Sequence, residues 1–276
     1  MHLVESASEV GEAVSRAKAD ASGYCSNFFP APRKLQDWIT HGEIFSDQRD
    51  GAALFLRKDR DFWHLYFCAA NPASLQRAVT ALPMLRIEPV VVDLVGEEAT
   101  ALADRAGLFE AAGFRLYNRL FRMARTVPPA TPPAAVAPDT RVTIARQADA
   151  QPILDLLLRS FDCRAEQIPM SYEIEAAVEA GQILVARLDG ALAGLLFFET
   201  QGLTSTLRYW LIAPEFRTQR FGSGLMQRYF TGHPAVRRFL LWVIAANANA
   251  IGKYEHYGFA PDGLVDHVLA NEMIRP

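Results

Sequence analysis

Two short stretches in the second half of the chain carry residue types that chemistry could use. In "NANAIGKYEHYGF", Asn247 to Phe259, residues Asn247, Ala250 and Tyr254 fall at i, i+3 and i+7 of a helix. An amide, a small side chain and a phenol therefore line one stripe. Gly258 is a natural left-handed stop, and Phe259 opens an apolar run. A structural helix more often fills such a stripe with Leu, Ile or Val, although a Tyr at a helix end is also commonly a half-buried ring with a wet hydroxyl. The second stretch, Gln219-Arg220-Phe221-Gly222-Ser223-Gly224, reads Gln/Arg-x-x-Gly-x-Gly/Ala between a strand and a helix. Glycines there let the backbone approach a pyrophosphate, and the first unpaired N–H groups of the helix direct partial positive charge at it. Alone, a glycine pair at a loop–helix junction is more often a tight turn. Here a further strand and then the Asn/Tyr helix follow, at the distance expected of one shared ligand groove.

The elements that must position these residues are legible. "RVTIAR" (141–146) alternates as a strand, while 149–161 and 171–181 read as helices. "QILVARLDGALAGLLFFET" is two strands joined at the hairpin dipeptide Asp189-Gly190. "STLRYWLIAPEF" is a strand ending at Pro214, "RTQRFGSGLMQRYF" passes from a polar loop into a helix, and "RRFLLWVIA" is a buried strand. After the Asn/Tyr helix, "GFAPDGLVDHVLANEMI" returns as strand. The order predicts an open α/β or α+β sheet flanked by helices.

Composition narrows the class of partner. With 276 residues, half of them hydrophobic and 21% charged, the chain is long enough for two globular domains. A net charge of −3 and a pI near 6.1 argue against a general nucleic-acid or anionic-membrane binder and toward small ligands. Cys25, Cys68 and Cys163 are scattered, with no CxxC pair and no histidine cluster at metal-ligand spacing, which fits a reduced, cytoplasmic setting without a metal. No apolar run approaches the roughly 20 residues of a membrane span, and "MHLVESASEV" lacks the regions of a signal peptide. "TVPPATPPAAVAPDT" (126–140), with five prolines, reads as an extended linker between domains at 1–125 and 141–276.

Taken together, the second block resembles the GNAT superfamily of acyl-CoA-dependent N-acyltransferases. "LIAPEFRTQRFGSGLM" looks like that family's pyrophosphate-binding segment, and "NANAIGKYEHYGF" resembles its following helix. The resemblance covers about residues 141 to 276. It implies acetyl-CoA as acyl donor, an unidentified amine as acceptor, and contacts from Arg217, Thr218, Gln219, Arg220, Phe221, Gly222, Ser223, Gly224, Asn247 and Ala250. It further implies a backbone N–H at Leu211 or Ile212 that polarises the thioester carbonyl, and Tyr254 near the thioester sulfur. Thr218 and Arg220 stand where the family usually has glycine. Arg220 either adds a charged contact to phosphate or faces solvent.

The first block echoes this order: strand, strand, helix, strand, helix, strand. "GLFEAAGF" aligns with "GKYEHYGF", so Phe109 falls where Tyr254 falls and Gly113-Phe114 where Gly258-Phe259 fall. The loop after "DFWHLYFCA" reads "ANPASLQRAV" and has no Gly-x-Gly. The expectation is two GNAT-like domains, each a mixed, mostly antiparallel twisted sheet flanked by helices, the first of them degenerate and binding no CoA.

Acyl transfer needs a neutral amine, a polarised carbonyl and a stabilised thiolate. A thiol titrates near ~8.5 and a phenol near ~10, so full proton transfer from Tyr254 to a thiolate is uphill by about 2 kcal/mol. Tyr254 thus reads as a hydrogen-bond donor in the transition state. Glu199, at the end of a hairpin strand, is the first candidate for general base and Glu173 the second; a solvated carboxylate is the plain reading of each. Arg208 and Tyr209 lie on the strand lining the cleft, and alternation assigns them to opposite faces. Two functions stand side by side: an N-acetyltransferase acting on a small molecule or peptide, and a non-catalytic acyl-CoA-binding regulator. Neither nucleic acid nor membrane is an expected partner, and a homodimer is left open.

Overall fold

A computed structural model describes residues 1–19, 23–49, 51–85, 87, 89–97, 100–128 and 139–271. The chain divides into two compact units, Met1–Leu120 with Gly263–Pro276, and Phe121–Asp262.

In chain order the first part carries β1 (His2–Leu3), α1 (Ala7–Ala19), β2 (Cys25–Ser26), α2 (Pro32–Thr40), β3 (Ile44–Arg49), β4 (Ala52–Asp59), β5 (Phe62–Ala69), α3 (Pro72–Thr80), β6 (Val90–Glu97), α4 (Thr100–Ala111) and β7 (Arg115–Thr126). There follow β8 (Val142–Ile144), α5 (Ala150–Ser160), α6 (Cys163–Glu166), α7 (Ser171–Glu179), β9 (Ile183–Leu188), β10 (Ala191–Gln201) and β11 (Thr204–Ile212). A 3-10 turn (Pro214–Gln219) then leads into α8 (Phe221–Gly232), β12 (Arg238–Ile244), α9 (Ala248–His256) and β13 (Ala260–Ala270).

The sheet of the first unit runs β1-β3-β4-β5-β6-β13, with β2 paired to β5. Among the described pairings of this unit, β5 and β6 alone are parallel neighbours, matched at Trp63↔Val90 and His64↔Val91. Past that point the wedge between them is occupied by Asn27. Its Nδ2 donates to Leu65 O at 3.2 Å and Asp93 O at 3.1 Å, and its Oδ1 accepts from Phe67 N at 2.7 Å. One amide thus satisfies the backbone groups that the parting strands expose.

The sheet of the second unit runs β7-β12-β11-β10-β9-β8. Both its faces are covered, which explains why Ile183 to Ala186 and Leu195 to Phe198 are unbroken apolar runs. Leu184, Ala186, Leu196 and Phe198 pack into one core with Leu225, Met226 and Tyr229 of α8. Ile183, Val185, Leu195 and Phe197 pack into another with Ile153, Leu157 and Ile174 of α5 and α7. Asp189 (φ 50°) and Gly190 (φ 83°) both adopt the left-handed conformation that a type I′ hairpin turn requires. Parallel neighbours β11 and β12 pair only from Thr204↔Arg238 to Leu207↔Leu241, then part. Nothing comparable to Asn27 bridges their wedge among the described hydrogen bonds.

One sequence expectation meets a different pairing and another falls outside the described residues. The last strand, which the sequence groups with residues 141–276, pairs antiparallel through Leu264–Ala270 with Val91–Glu97 of β6, in the first unit. An alternating run specifies a strand and its buried face but not its partner. Most of the proline-rich segment, residues 129–138, lies outside the described residues; Val127 just before it donates to Arg237 O at 2.8 Å.

Candidate active site

The unbridged wedge of the second unit opens into a cavity of about 990 Å³. Trp210, Leu211 and Ile212 of β11 form one wall; Arg217, Arg220, Gly222 and Ser223 form the loop side; Asn247, Ala250, Tyr254 and Tyr257 belong to α9 and its flanks. The end of α5 completes it with Arg159, Ser160 and Phe161.

Backbone polarity on β11 follows from register. Ala213 N donates to Ala193 O at 2.9 Å, so Ala213 and, two residues back, Leu211 turn their N–H groups toward β10. Ile212 and Trp210 therefore present theirs to the opposite edge, where β12 has departed. Of the two candidates for a carbonyl-polarising donor, the one facing the wedge is Ile212. Gly194, opposite Ile212, permits this: a Cβ there would overlap the Ile212 side chain and lie 2.6 Å from Leu211 O.

The register also shifts between Phe197 and Phe198, because Tyr209 pairs with Phe197 and Leu207 with Phe198. Arg208 is the extra residue of a β-bulge. Leu207 consequently packs in one core and Tyr209 in the other, although residues two apart normally share a face. Arg208 and Tyr209 are on the same side rather than opposite ones: the Arg208 guanidinium is 5.9 Å from the Tyr209 ring centroid. Arg208 also lies 3.8 Å from Glu199. Burial lowers the pKa of Arg208, and the charge of Glu199 together with Tyr209 and Glu173 more than offsets it, so the guanidinium stays protonated.

The glycine-bearing segment is a 3-10 turn followed by the first turn of α8. Arg220 adopts φ 59°, ψ 16°, a left-handed conformation ordinarily given to glycine, and no side chain caps the helix there. The N–H groups of Phe221, Gly222 and Ser223 precede the first helical bond, Gly224 N to Arg220 O at 3.4 Å, and have no backbone partner among the described residues. By contrast α3, the corresponding helix of the first unit, has its start capped by Asn71, whose Oδ1 accepts from Ser74 N at 2.9 Å. A Cβ on Gly222 would stand 3.1 Å from the Trp210 ring, so this glycine lets the helix start lie against the cleft wall. Gly224 faces away, toward Asp139 and Val142, and Phe221 is buried beneath the Arg141 guanidinium. Thr218 and Gln219 are exposed, and neither belongs to the cavity wall.

On α9, Asn247 is the N-cap, its Oδ1 accepting from Ala250 N at 3.1 Å, so its oxygen serves the helix while the residue still borders the cavity. Tyr254 is 9% exposed, with its ring 5.7 Å from that of Trp210 and 6.0 Å from that of Phe259. Burial, and then the charge of Glu166, push its pKa above the ordinary phenol value. Gly258 closes the helix at φ 82°. The same turn occurs in the first unit. Phe114 N donates to Phe109 O at 3.0 Å as Phe259 N does to Tyr254 O at 3.1 Å, and Gly113 has φ 94°. Phe109 is fully buried against Phe67 and Phe114.

The two proposed bases sit differently. Glu199 is half exposed beside Arg208 and is not on the cavity wall. Glu173 accepts from Met170 N at 2.8 Å as part of the α7 cap. Sequence reasoning missed Glu166, whose carboxyl is pushed up to about 7, chiefly by burial, with Asp162 N–H opposing and the Asp162 charge adding. Its only sequence signal is the spacing Asp162-x-x-x-Glu166 of a short capped turn, in which Asp162 N donates to Glu166 Oε2 at 3.1 Å.

Residues 150–259 match the family model described as the Acetyltransferase (GNAT) family. This segment belongs to that family. Solved structures extend the likeness to the GNAT fold on both sides of the matched domain. A tandem GNAT protein from the clavulanic acid biosynthesis pathway superposes with a TM-score of 0.62 at 15% identity, covering 99% of this chain and 98% of its own. A GCN5-related N-acetyltransferase from Sphaerobacter thermophilus gives 0.58 at 16% identity, covering 82% of this chain and 77% of its own. A Drosophila protein gives 0.56 at 15% identity over 97% and 98% of the two chains. No curated protein matches the sequence. The chain is thus built from two GNAT-like halves, with the GNAT domain proper in the second. Among the described residues no helix is long and apolar enough to cross a membrane, and no group of His, Cys, Asp and Glu is arranged to hold a metal.

Proposed function

We propose that the GNAT domain transfers an acetyl group from acetyl-CoA to a primary amine of a small molecule or peptide by direct attack, with acetyl-CoA a substrate rather than a resident cofactor. The carrying observation is that the uncapped start of α8, the open edge of β11 and the Tyr254 ring all border one cavity. The N–H groups at Gly222 and Ser223 suit a pyrophosphate, and Arg217, Arg220 and Lys253 add positive charge along the same wall. Ile212 N–H is the donor for the thioester oxygen, whose charge grows as the amine attacks.

Tyr254 serves the leaving sulfur. With its pKa raised above the usual phenol value, it does not give up its proton outright; it donates a hydrogen bond to the thiolate as the C–S bond lengthens. The first unit is the degenerate half in this scheme. Asn27 fills its wedge, Asn71 caps its helix, and Phe109 offers no hydroxyl.

The test is thiol release from acetyl-CoA over a panel of small amines, amino acids and peptides, with acetylated product identified by mass. Release that tracks the formation of an N-acetylated product supports the reading. Tight acetyl-CoA binding with no release over the panel would favour the regulatory alternative, a reading to which the strained Arg220 backbone in the phosphate loop gives some structural ground.

A further inference from the structure

We propose that the acceptor is a primary amine that also carries an anionic group, and that Arg159 receives that group; the inference rests on the acetyl-transfer reading above. The charges on the cavity wall are of one sign. Arg159, Arg217, Arg220 and Lys253 line it, and no Asp or Glu does. The chain as a whole carries a net charge of −3, so this clustering is local and runs against the overall composition.

Arg217, Arg220 and Lys253 belong with the acyl donor. The first two lie in the turn before α8 and the third on α9, and both helices pack on the face of the sheet that holds Leu225, Met226 and Tyr254. Arg159 comes from the other side. It stands in the last turn of α5, which packs through Ile153 and Leu157 on the opposite face, with Ile183, Val185 and Leu195. With the pyrophosphate at the start of α8 and the sulfur at Tyr254, the amine reaches the thioester carbon from the wall that the donor leaves uncovered. That wall is the end of α5, with Arg159, Ser160 and Phe161.

Its neighbours fix it in place. Phe161 N donates to Leu157 O at 3.0 Å and closes α5. The Phe161 ring packs 5.3 Å from that of Tyr209, whose hydroxyl donates to Glu166 O and Gln167 O, both at 2.8 Å, so the chain after α5 is tied to β11. The carboxylates nearest in sequence serve other groups. Asp155 Oδ1 accepts from Gln151 Nε2 at 2.7 Å, Asp162 Oδ1 from Arg164 N at 2.9 Å, and Glu166 Oε2 from Asp162 N at 3.1 Å. Arg159 is exposed and has no ion-pair or hydrogen-bond partner among the described residues. The helix dipole favours a cation in this turn, but it does not select the side that borders the cavity.

A guanidinium presents paired donors that match the two oxygens of a carboxylate or a phosphate. The same wall disfavours an ammonium, which promotes the neutral amine that attack requires. A diamine or polyamine would find no carboxylate on the wall to hold its second charge.

Matched acceptors test this: α- and ω-amino acids beside their amides, phosphoethanolamine beside ethanolamine, and diamines, each kcat/KM being referred to the fraction of neutral amine. In the parent, the anionic member of a pair should be preferred at least about ten-fold, with diamines the poorest substrates. Whether the amino acid or phosphoethanolamine leads tells carboxylate from phosphate. Arg159→Gln should reduce the preference about ten-fold or more, mainly through KM, while the Kd for acetyl-CoA by calorimetry stays within about two-fold. Arg159→Lys should restore part of the preference, and Arg159→Glu should shift it toward diamines. A parent that takes uncharged or cationic amines as readily as anionic ones overturns the inference and leaves acetyl transfer standing. So does an Arg159→Gln variant that keeps the preference, or that loses acetyl-CoA affinity as much as rate. A parent that acetylates no amine in the panel overturns both.

Discussion

Replacing Tyr254 by Phe separates packing from chemistry, because the structure predicts that the two respond differently. The ring is 9% exposed and packs against Trp210 and Phe259, contacts that a phenylalanine keeps. The described hydrogen bonds include none from the Tyr254 hydroxyl, so its loss should shift the unfolding free energy by only a few tenths of a kcal/mol. Phe109, in the matching turn of the first unit, shows that the same helix end accommodates a benzyl side chain. Acetyl-CoA affinity should likewise stay within about two-fold, since a hydrogen bond to a neutral thioester sulfur is weak. In the transition state the sulfur carries growing negative charge, and a charge-assisted bond there is worth about 1.5–3 kcal/mol, or roughly 10- to 150-fold in rate. The assay is steady-state thiol release at saturating acetyl-CoA, under conditions where chemistry limits turnover. The drop should appear in kcat and equally in kcat/KM. Because the Tyr254 pKa is raised above its ordinary value, no basic limb in the profile should belong to it below about pH 10. Unaltered kcat would return Tyr254 to a packing role, and a large loss of stability would show that the hydroxyl has a partner in the fold.

Other expectations follow from single positions. Arg220→Gly should relieve a left-handed backbone at φ 59°, worth about 1–2 kcal/mol before glycine's added freedom in the unfolded chain takes back roughly half. Its urea midpoint should hold or rise, while the Kd for acetyl-CoA weakens about three-fold through the lost cation. Gly194→Ala should push Ile212 off its place beside the wedge, lowering stability by about 1–3 kcal/mol and reducing acetyl transfer among the molecules that remain folded. Asp266 is buried with its Oδ1 unpartnered among the described residues; burial, with the nearby charge of Asp93, raises its pKa in the fold. Such a group supports the fold fully below its unfolded value of about 3.9, and that support is lost as pH rises through the raised folded value. Asp266→Asn should therefore raise the urea midpoint at neutral pH, with the gain shrinking toward pH 4; an equal gain at both pH values would mean the carboxyl titrates in the fold as it does in the unfolded chain.

What could be read in the sequence was local, and what could not was tertiary. The Asp189-Gly190 hairpin, the stop at Gly258 and the matching turn at Gly113 are dictated by residues that tolerate positive φ, and all three are in place. The two GNAT-like halves were visible because their strands and helices recur in the same order. Register was harder. The bulge at Arg208 leaves no mark in a run such as "TLRYWLI", yet it decides that Arg208 and Tyr209 share a side. The partner of β13 escaped for a similar reason: an alternating strand can complete either sheet. Asn247 read as one member of a helical stripe, but the helix begins one residue later and uses its side chain as a cap. Glu166 carries no motif. Its raised pKa comes from burial, and the end of its helix is held by Tyr209, 43 positions away in sequence. Asn27 is a similar case, since nothing in "CSNFF" announces that one amide fills the wedge between two strands.

The central claim is that one wedge holds the acyl donor while the other is occupied by the chain itself. Calorimetric titration of the full chain with acetyl-CoA, beside Gly222→Val, tests it most directly. A valine at 222 would bring a branched side chain onto a site where even a Cβ stands 3.1 Å from the Trp210 ring, at the helix start proposed to receive the pyrophosphate. The account predicts one acetyl-CoA per chain for the parent and a Kd at least about 100-fold weaker for the variant, equivalent to some 2.7 kcal/mol. Two molecules bound per chain, or a folded Gly222→Val protein that binds as tightly as the parent, would contradict it.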